Sequence, residues 1–249
     1  MAHMKPFKRN ARPFTDGHYM NDGKGQYLRK LAFAEDGRRY IRAALLLQRD
    51  LLTVFEFVEP DQKNFNCFSI RIHELIVRTC IEIEANFKAI LRENNYKKGG
   101  NWNIDDYRKI ELTHRLSEHR VKIPDFVDQN FCFNPFQDWV NKPNPEWHYI
   151  YNFAKHDRHK EFASANFGTL LNAIGGLFVL LASQFHTEDL STGSDFLTLE
   201  SGANDGFEPV AGGLFRVEFP KSWLDSERYE FQHSDISDDT CFFQSVEYV

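Results

Sequence analysis

Cysteine is scarce and scattered: Cys67, Cys80, Cys132 and Cys241 are the only four in 249 residues, and no two form a CxxC pair. A zinc knuckle or a redox dithiol needs closely spaced thiols, so reduced cysteines in a cytoplasmic protein are expected. Long apolar runs are also missing. The longest, around residues 174–182, contains Gly175-Gly176 and falls short of the roughly 18 residues of a membrane span. The first thirty residues are polar and basic, so no signal peptide is expected, and residues 1–4 are read as a cloning remnant before a second start. No P-loop, GxGxxG, GxSxG or HExxH occurs. Lys97-Lys98-Gly99-Gly100 is a basic turn without the flanking strand and helix of a phosphate cradle.

What is present has the composition of a globular domain, 42% hydrophobic and 27% charged. The net charge of −6 is unevenly spread. Residues 186–249 hold fourteen acidic and three basic side chains, a net of −11, which leaves +5 on residues 1–185. A basic body suits a polyanionic ligand, and an acidic tail can mimic or shield one.

The pattern along the chain predicts a mainly α fold, an up-and-down helical bundle with a small C-terminal antiparallel β appendage. Residues 1–37, rich in glycine, proline and basic groups, read as an irregular arm with one helical turn near residues 26–34. The bundle is expected over residues 38–186. Tyr40, Ile41, Ala44, Leu45, Leu51, Leu52, Phe55 and Val58 keep a 3.6-residue period that stops at Pro60. A second helix is expected over residues 66–94, about 42 Å long. A more polar third helix follows over residues 104–119, then an aromatic-rich connection over residues 124–145 with a short helix at residues 135–141. After Pro145 another helix begins, and it breaks or bends near residues 164–166 before the apolar segment of residues 170–185. That segment is apolar nearly all round and belongs in the centre of the bundle. Residues 187–249 form the acidic appendage, with strands at residues 196–199 and 214–219 and residues 228–243 available for pairing. No internal repeat is present.

The helix after Pro145 carries the densest chemistry. Residues 147–159 place His148, Asn152 and His156 at four-residue spacing, with His159 close to the same face. An imidazole beside an amide and cations can cleave RNA without metal. One group takes the 2′-hydroxyl proton, the leaving oxygen is protonated, and a cation steadies the phosphorane. His156 fits the acid/base role, Asn152 the orienting amide, and Lys155 or Arg158 the charge stabiliser. Lys155, His159 and His148 are the matching RNA contacts. Phe131, Phe133, Phe136, Trp139 and Trp147 have rings able to stack on bases, although such residues more often fill a core.

Ile-Glu-Ile-Glu-Ala-Asn-Phe-Lys-Ala-Ile-Leu at residues 81–91, followed by Tyr-Asn-x-x-Lys-His at residues 151–156 leading into an apolar helix, resembles the HEPN superfamily over residues 38–186. The resemblance implies a helical bundle, often a dimeric ribonuclease of prokaryotic toxin–antitoxin or defence systems, with RNA, a second copy of the chain and an antitoxin or regulator as partners. It implies no cofactor and no metal. His156 takes the motif histidine and Asn152 the polar position, but Tyr151 stands where the family has arginine. Arg158 is a spatial substitute; otherwise the chain is an inactive binding or regulatory module. The literal arginine-x5-histidine match at Arg108 and His114 puts the two about 120° apart on a helix, and is read as chance. His156-Asp157 is also the dipeptide of HD-type metal-dependent phosphohydrolases, which would recruit His73 or His114 and Asp189 or Asp195.

Overall fold

In a computed structural model the chain is described over residues 4–20, 22–156, 162–190, 205–237 and 240–248, without the side chains of Ala154, His156 and Thr240. Its architecture is mainly α with one small antiparallel sheet.

Three long helices form the frame: α1 (Gly37–Phe55), α2 (Ile70–Glu93) and, after three shorter helices, α6 (Phe167–Phe185). In α1, Ile41, Ala44, Leu47, Leu51 and Val54 are buried at helical spacing, the stripe anticipated from the period. α2 starts four residues later than its apolar pattern suggests, because Ser69 accepts the Ile72 N–H and caps it there. Phe68 instead bridges to Asn166. α6 is buried on every side, as expected of the central helix, and Asn166 caps it by accepting the Thr169 N–H. By length and composition α6 is apolar enough to cross a membrane, but 94% of that stretch is buried inside the molecule.

The expected third helix is two short ones, α3 (Ile104–Arg108) and α4 (Glu111–His114), followed by a 3-10 turn at Leu116–Glu118. Asn103 and Asp106 form a reciprocal capping box that starts α3. Arg115, at φ 49°, ends α4 in the left-handed region, a conformation no helix propagates. A 3-10 turn at Gln137–Val140 takes the place of the short helix expected there, and α5 (Glu146–His156) follows.

The sheet has the order β1-β3-β2, with β1 (Arg120–Lys122), β2 (Glu208–Pro209) and β3 (Arg216–Glu218) all antiparallel. Its edge partner β1 comes from the middle of the chain, with Val121 opposite Val217 and Arg120 opposite Glu218. The strand expected at residues 196–199 lies outside the described residues, and residues 228–237 and 240–243 run as irregular chain and 3-10 turns, not as a ladder strand. The N-terminal arm is irregular as read, yet Phe14, Tyr27 and Phe33 are fully buried. Arg9, also fully buried, reaches Glu93 of α2 at 2.6 Å and Gln184 of α6 at 2.9 Å, and donates to the Glu35 carbonyl.

Candidate functional site at helix α5

α5 lies in the angle between α2 and α6, so its residues divide among three surroundings. Trp147, His148 and Tyr151 face inward and are buried. Trp147 donates from its indole to the Pro135 carbonyl at 2.8 Å and packs on Phe136, which with Trp139 belongs to the core. The suggestion that these three rings stack bases therefore fails; they are already covered by protein.

The polar half of α5 meets α2 at Glu84. Tyr151, 2% exposed, sets its hydroxyl on the side of α5 that faces the Glu84 carboxylate. Burial pushes the Tyr151 phenol up to about 12, and the Glu84 charge pushes the same way. His148 is pulled down by burial, with the Glu84 charge opposing, so the neutral imidazole is favoured. The Asn152 amide lies 3.4 Å from His148 Nδ1 and donates to it. Lys88 of α2 pairs with Glu84 at 3.5 Å, and Lys155 sits 5.7 Å from the Tyr151 ring centre. Glu84 and Lys88, both inside the apolar pattern of residues 81–91, are the site members the sequence reading missed. Their signal was a charged pair at i,i+4 on the helix whose other face is core.

The common face expected of His148, Asn152 and His156 is thus split at the core boundary. His148 is inside, Asn152 and Lys155 are exposed, and His156 ends the helix with its side chain outside the description. Arg158 and His159 lie outside the described residues, as does Asp157. Tyr151 is a structural contact of the α2–α5 seam and not an exposed catalytic group, a correction that follows from its burial and its packing on His148.

On its outer side α5 presents Tyr149 and Phe153, 57% and 39% exposed, their ring centres 4.6 Å apart. These rings border a cleft of about 690 Å³ between α5, the start of α6 and the chain around Phe65 and Asn134. Asn66, Asn134, Gln137, Asn166 and Asn172 bring amides to its wall, and Asp138 and Glu146 add carboxylates. Asn134, Asn166 and Asn172 also hold backbone, so the wall is pre-formed.

Among the described residues no three His, Cys, Asp or Glu side chains converge as a metal site requires. His114, one of the imidazoles considered for an HD-type centre, has both nitrogens engaged: Nε2 with the Arg9 carbonyl at 2.7 Å, Nδ1 with Thr113 Oγ1 at 2.8 Å. It is no ligand, and Arg108 does not join it, since its guanidinium donates to the Trp139 carbonyl. Comparison of the chain with known protein families, characterised proteins and solved structures gives no match.

Proposed function

We propose that the chain binds single-stranded RNA along the outer face of α5, and that His156 cleaves the bound strand without metal. One observation carries the reading: an exposed aromatic pair, Tyr149 and Phe153, beside an exposed amide and an exposed lysine on the same short helix. Aromatic faces stack on unpaired bases, and a lysine contacts the backbone phosphates; each stacked base contributes about 1–3 kcal/mol. The amide-lined cleft supplies donors and acceptors for base edges. In the cleavage step His156 takes the 2′-hydroxyl proton and the 2′-oxygen bonds to the adjacent phosphorus. The bond from phosphorus to the 5′-oxygen breaks and that oxygen takes the proton back from His156, leaving a cyclic phosphate and a 5′-hydroxyl.

A second reading keeps the binding and drops the chemistry. It is favoured by Tyr151, buried against Glu84 at the position where the HEPN motif carries a cation.

The test is binding and cleavage of a mixed-sequence single-stranded RNA in EDTA and with added manganese. Wild type is compared with His156→Ala, Tyr149→Ala and Phe153→Ala. Cleavage in EDTA that disappears in His156→Ala while binding persists supports the first reading. Binding without cleavage by wild type supports the second. Binding that is absent in wild type, or unchanged in both aromatic variants, sinks both.

A further inference from the structure

α1 and α2 run antiparallel, with Arg78 of α2 paired to Asp50 of α1, so their outer faces form one surface. Large apolar side chains stand on it. Leu46 of α1, Phe57 just past its end, and Ile70 and Ile81 of α2 are all exposed, Phe57 at 83%. At one end of this face an apolar groove of about 400 Å³ opens, with Val54, Phe57 and Val58 on one wall and Ile72 and the Arg71 stem on the other. Scattered surface apolar residues are ordinary, whereas a set of them around a groove marks an interaction surface.

The charges on the same face are ordered. Arg38, Arg42, Arg49 and Glu56 fall within about 40° of one another around α1, and Glu59 follows. All five are exposed, and none forms an ion pair among the described residues. Their order runs against the helix dipole, which favours carboxylates at the start of a helix and cations at its end. α1 has no acidic residue in its first turn and no basic one in its last. A chain folding for itself gains nothing from that order. An antiparallel copy reverses it.

We propose that this face binds a second copy of the chain, α1 on α1 and α2 on α2, about a twofold axis at the level of Leu52 and Thr53. That axis is the midpoint of Arg49 and Glu56, so each arginine meets the glutamate of the other copy, and Glu59 comes within one turn of the other Arg42. The Asp50–Arg78 pair carries the same level across to the midpoint of Ile70 and Ile81 on α2, so each of these isoleucines faces the other across the axis. The groove at the Phe57 end then receives Leu46 and Ile81 of the second copy. α1 spans about 28 Å and α2 about 36 Å, and two helix diameters are about 20 Å wide. A footprint of that size approaches the roughly 800 Å² per partner of a standard interface. A different protein would have to present this charge order in reverse, and a second copy does so by symmetry. No residue is shared with the reading of α5.

The experiment is sedimentation equilibrium of the full chain at concentrations from about 1 to 100 μM. Wild type is expected at twice the 29.2 kDa of the chain. Arg49→Glu and Glu56→Arg should each weaken the dimer by about tenfold or more. Both side chains are exposed and unpaired, so thermal melting stays unchanged. Mixing the two variants should restore association, because each supplies the charge that the other has lost. Phe57→Ser, also at the surface, should weaken the dimer with no rescue on mixing. A wild type that stays at 29.2 kDa, a dimer that neither reversal weakens, or reversed chains that do not associate when mixed overturns the proposal. The first of these outcomes leaves the face to a different protein. RNA binding at α5 is read separately, so either result can fail alone.

Discussion

Histidine behaves in this molecule as a core residue more than as a reagent. His114 and His186 are held down to about 3 and His119 to about 4, each by burial. A folded-state value below the unfolded 6.5 means the unfolded chain takes up the protons first. Stability is therefore complete above about pH 6.5 and is lost as the pH falls from there toward 4 and 3. Each histidine should cost on the order of 2 kcal/mol at pH 5. Urea midpoints at pH 7 and pH 5 measure the loss, and His114→Gln should flatten the dependence; an equal midpoint at both pH values would refute the argument. The Tyr151 hydroxyl makes a different contribution. Its removal in Tyr151→Phe takes a polar neighbour of the Glu84 carboxylate out of the α2–α5 seam, and a loss of about 1 kcal/mol is expected in urea denaturation. A gain in stability would mean that Glu84 is served by water instead.

At the scale of elements, apolar periodicity located the helices well and told less about which polar face of a helix matters. α1, α2 and α6 follow their apolar stripes because a stripe has one way to meet a core. α5 shows the limit: His148 and Asn152 are neighbours on one face as their spacing predicts, but the core boundary passes between them, burying His148 and exposing Asn152. Only the packing of α5 against α2 and α6 sets that boundary. The break at Arg115 also escaped the pattern, since nothing in Leu-Thr-His-Arg-Leu marks a left-handed residue. Gly212 shows one chain segment locked on another. Its φ is +82°, a Cβ there would lie 2.5 Å from Leu45 Cδ2, and its carbonyl accepts from Gln48 of α1 at 3.0 Å. Gly212→Ala combines backbone strain with overpacking and should lower stability by at least about 2 kcal/mol, read as a drop in Tm. An unchanged Tm would show that the loop yields at no cost.

On the scale of the whole molecule the terminal segments are built into the helical core. The arm before α1 and the chain after β3 join each other through the Phe7–Gln244 and Phe14–Tyr229 bridges. The Ala11 amide donates to the Ser183 carbonyl of α6. Arg9 ties arm, α2 and α6 together, and its removal strands Glu93, whose carboxyl burial already raises. Breaking such a buried pair costs about 3–5 kcal/mol. Arg9→Ala is accordingly expected to unfold at markedly lower urea, and a chain starting at residue 37 is expected to lose cooperative unfolding. Cooperative melting of that fragment, followed by circular dichroism, would show that the bundle stands alone.

The mainly helical class, the central place of α6 and the chemistry-rich stretch on α5 can all be read along the chain, because apolar period and residue spacing are local quantities. Folding in three dimensions makes Tyr151 a seam contact, sets Glu84 and Lys88 beside α5, and lets β1 complete a sheet with strands nearly a hundred residues later. It also brings Tyr19, His186, Phe219 and Glu208 around one cavity. Each of those facts depends on contacts between residues far apart in the chain, and the spacing of residues along it carries no record of them.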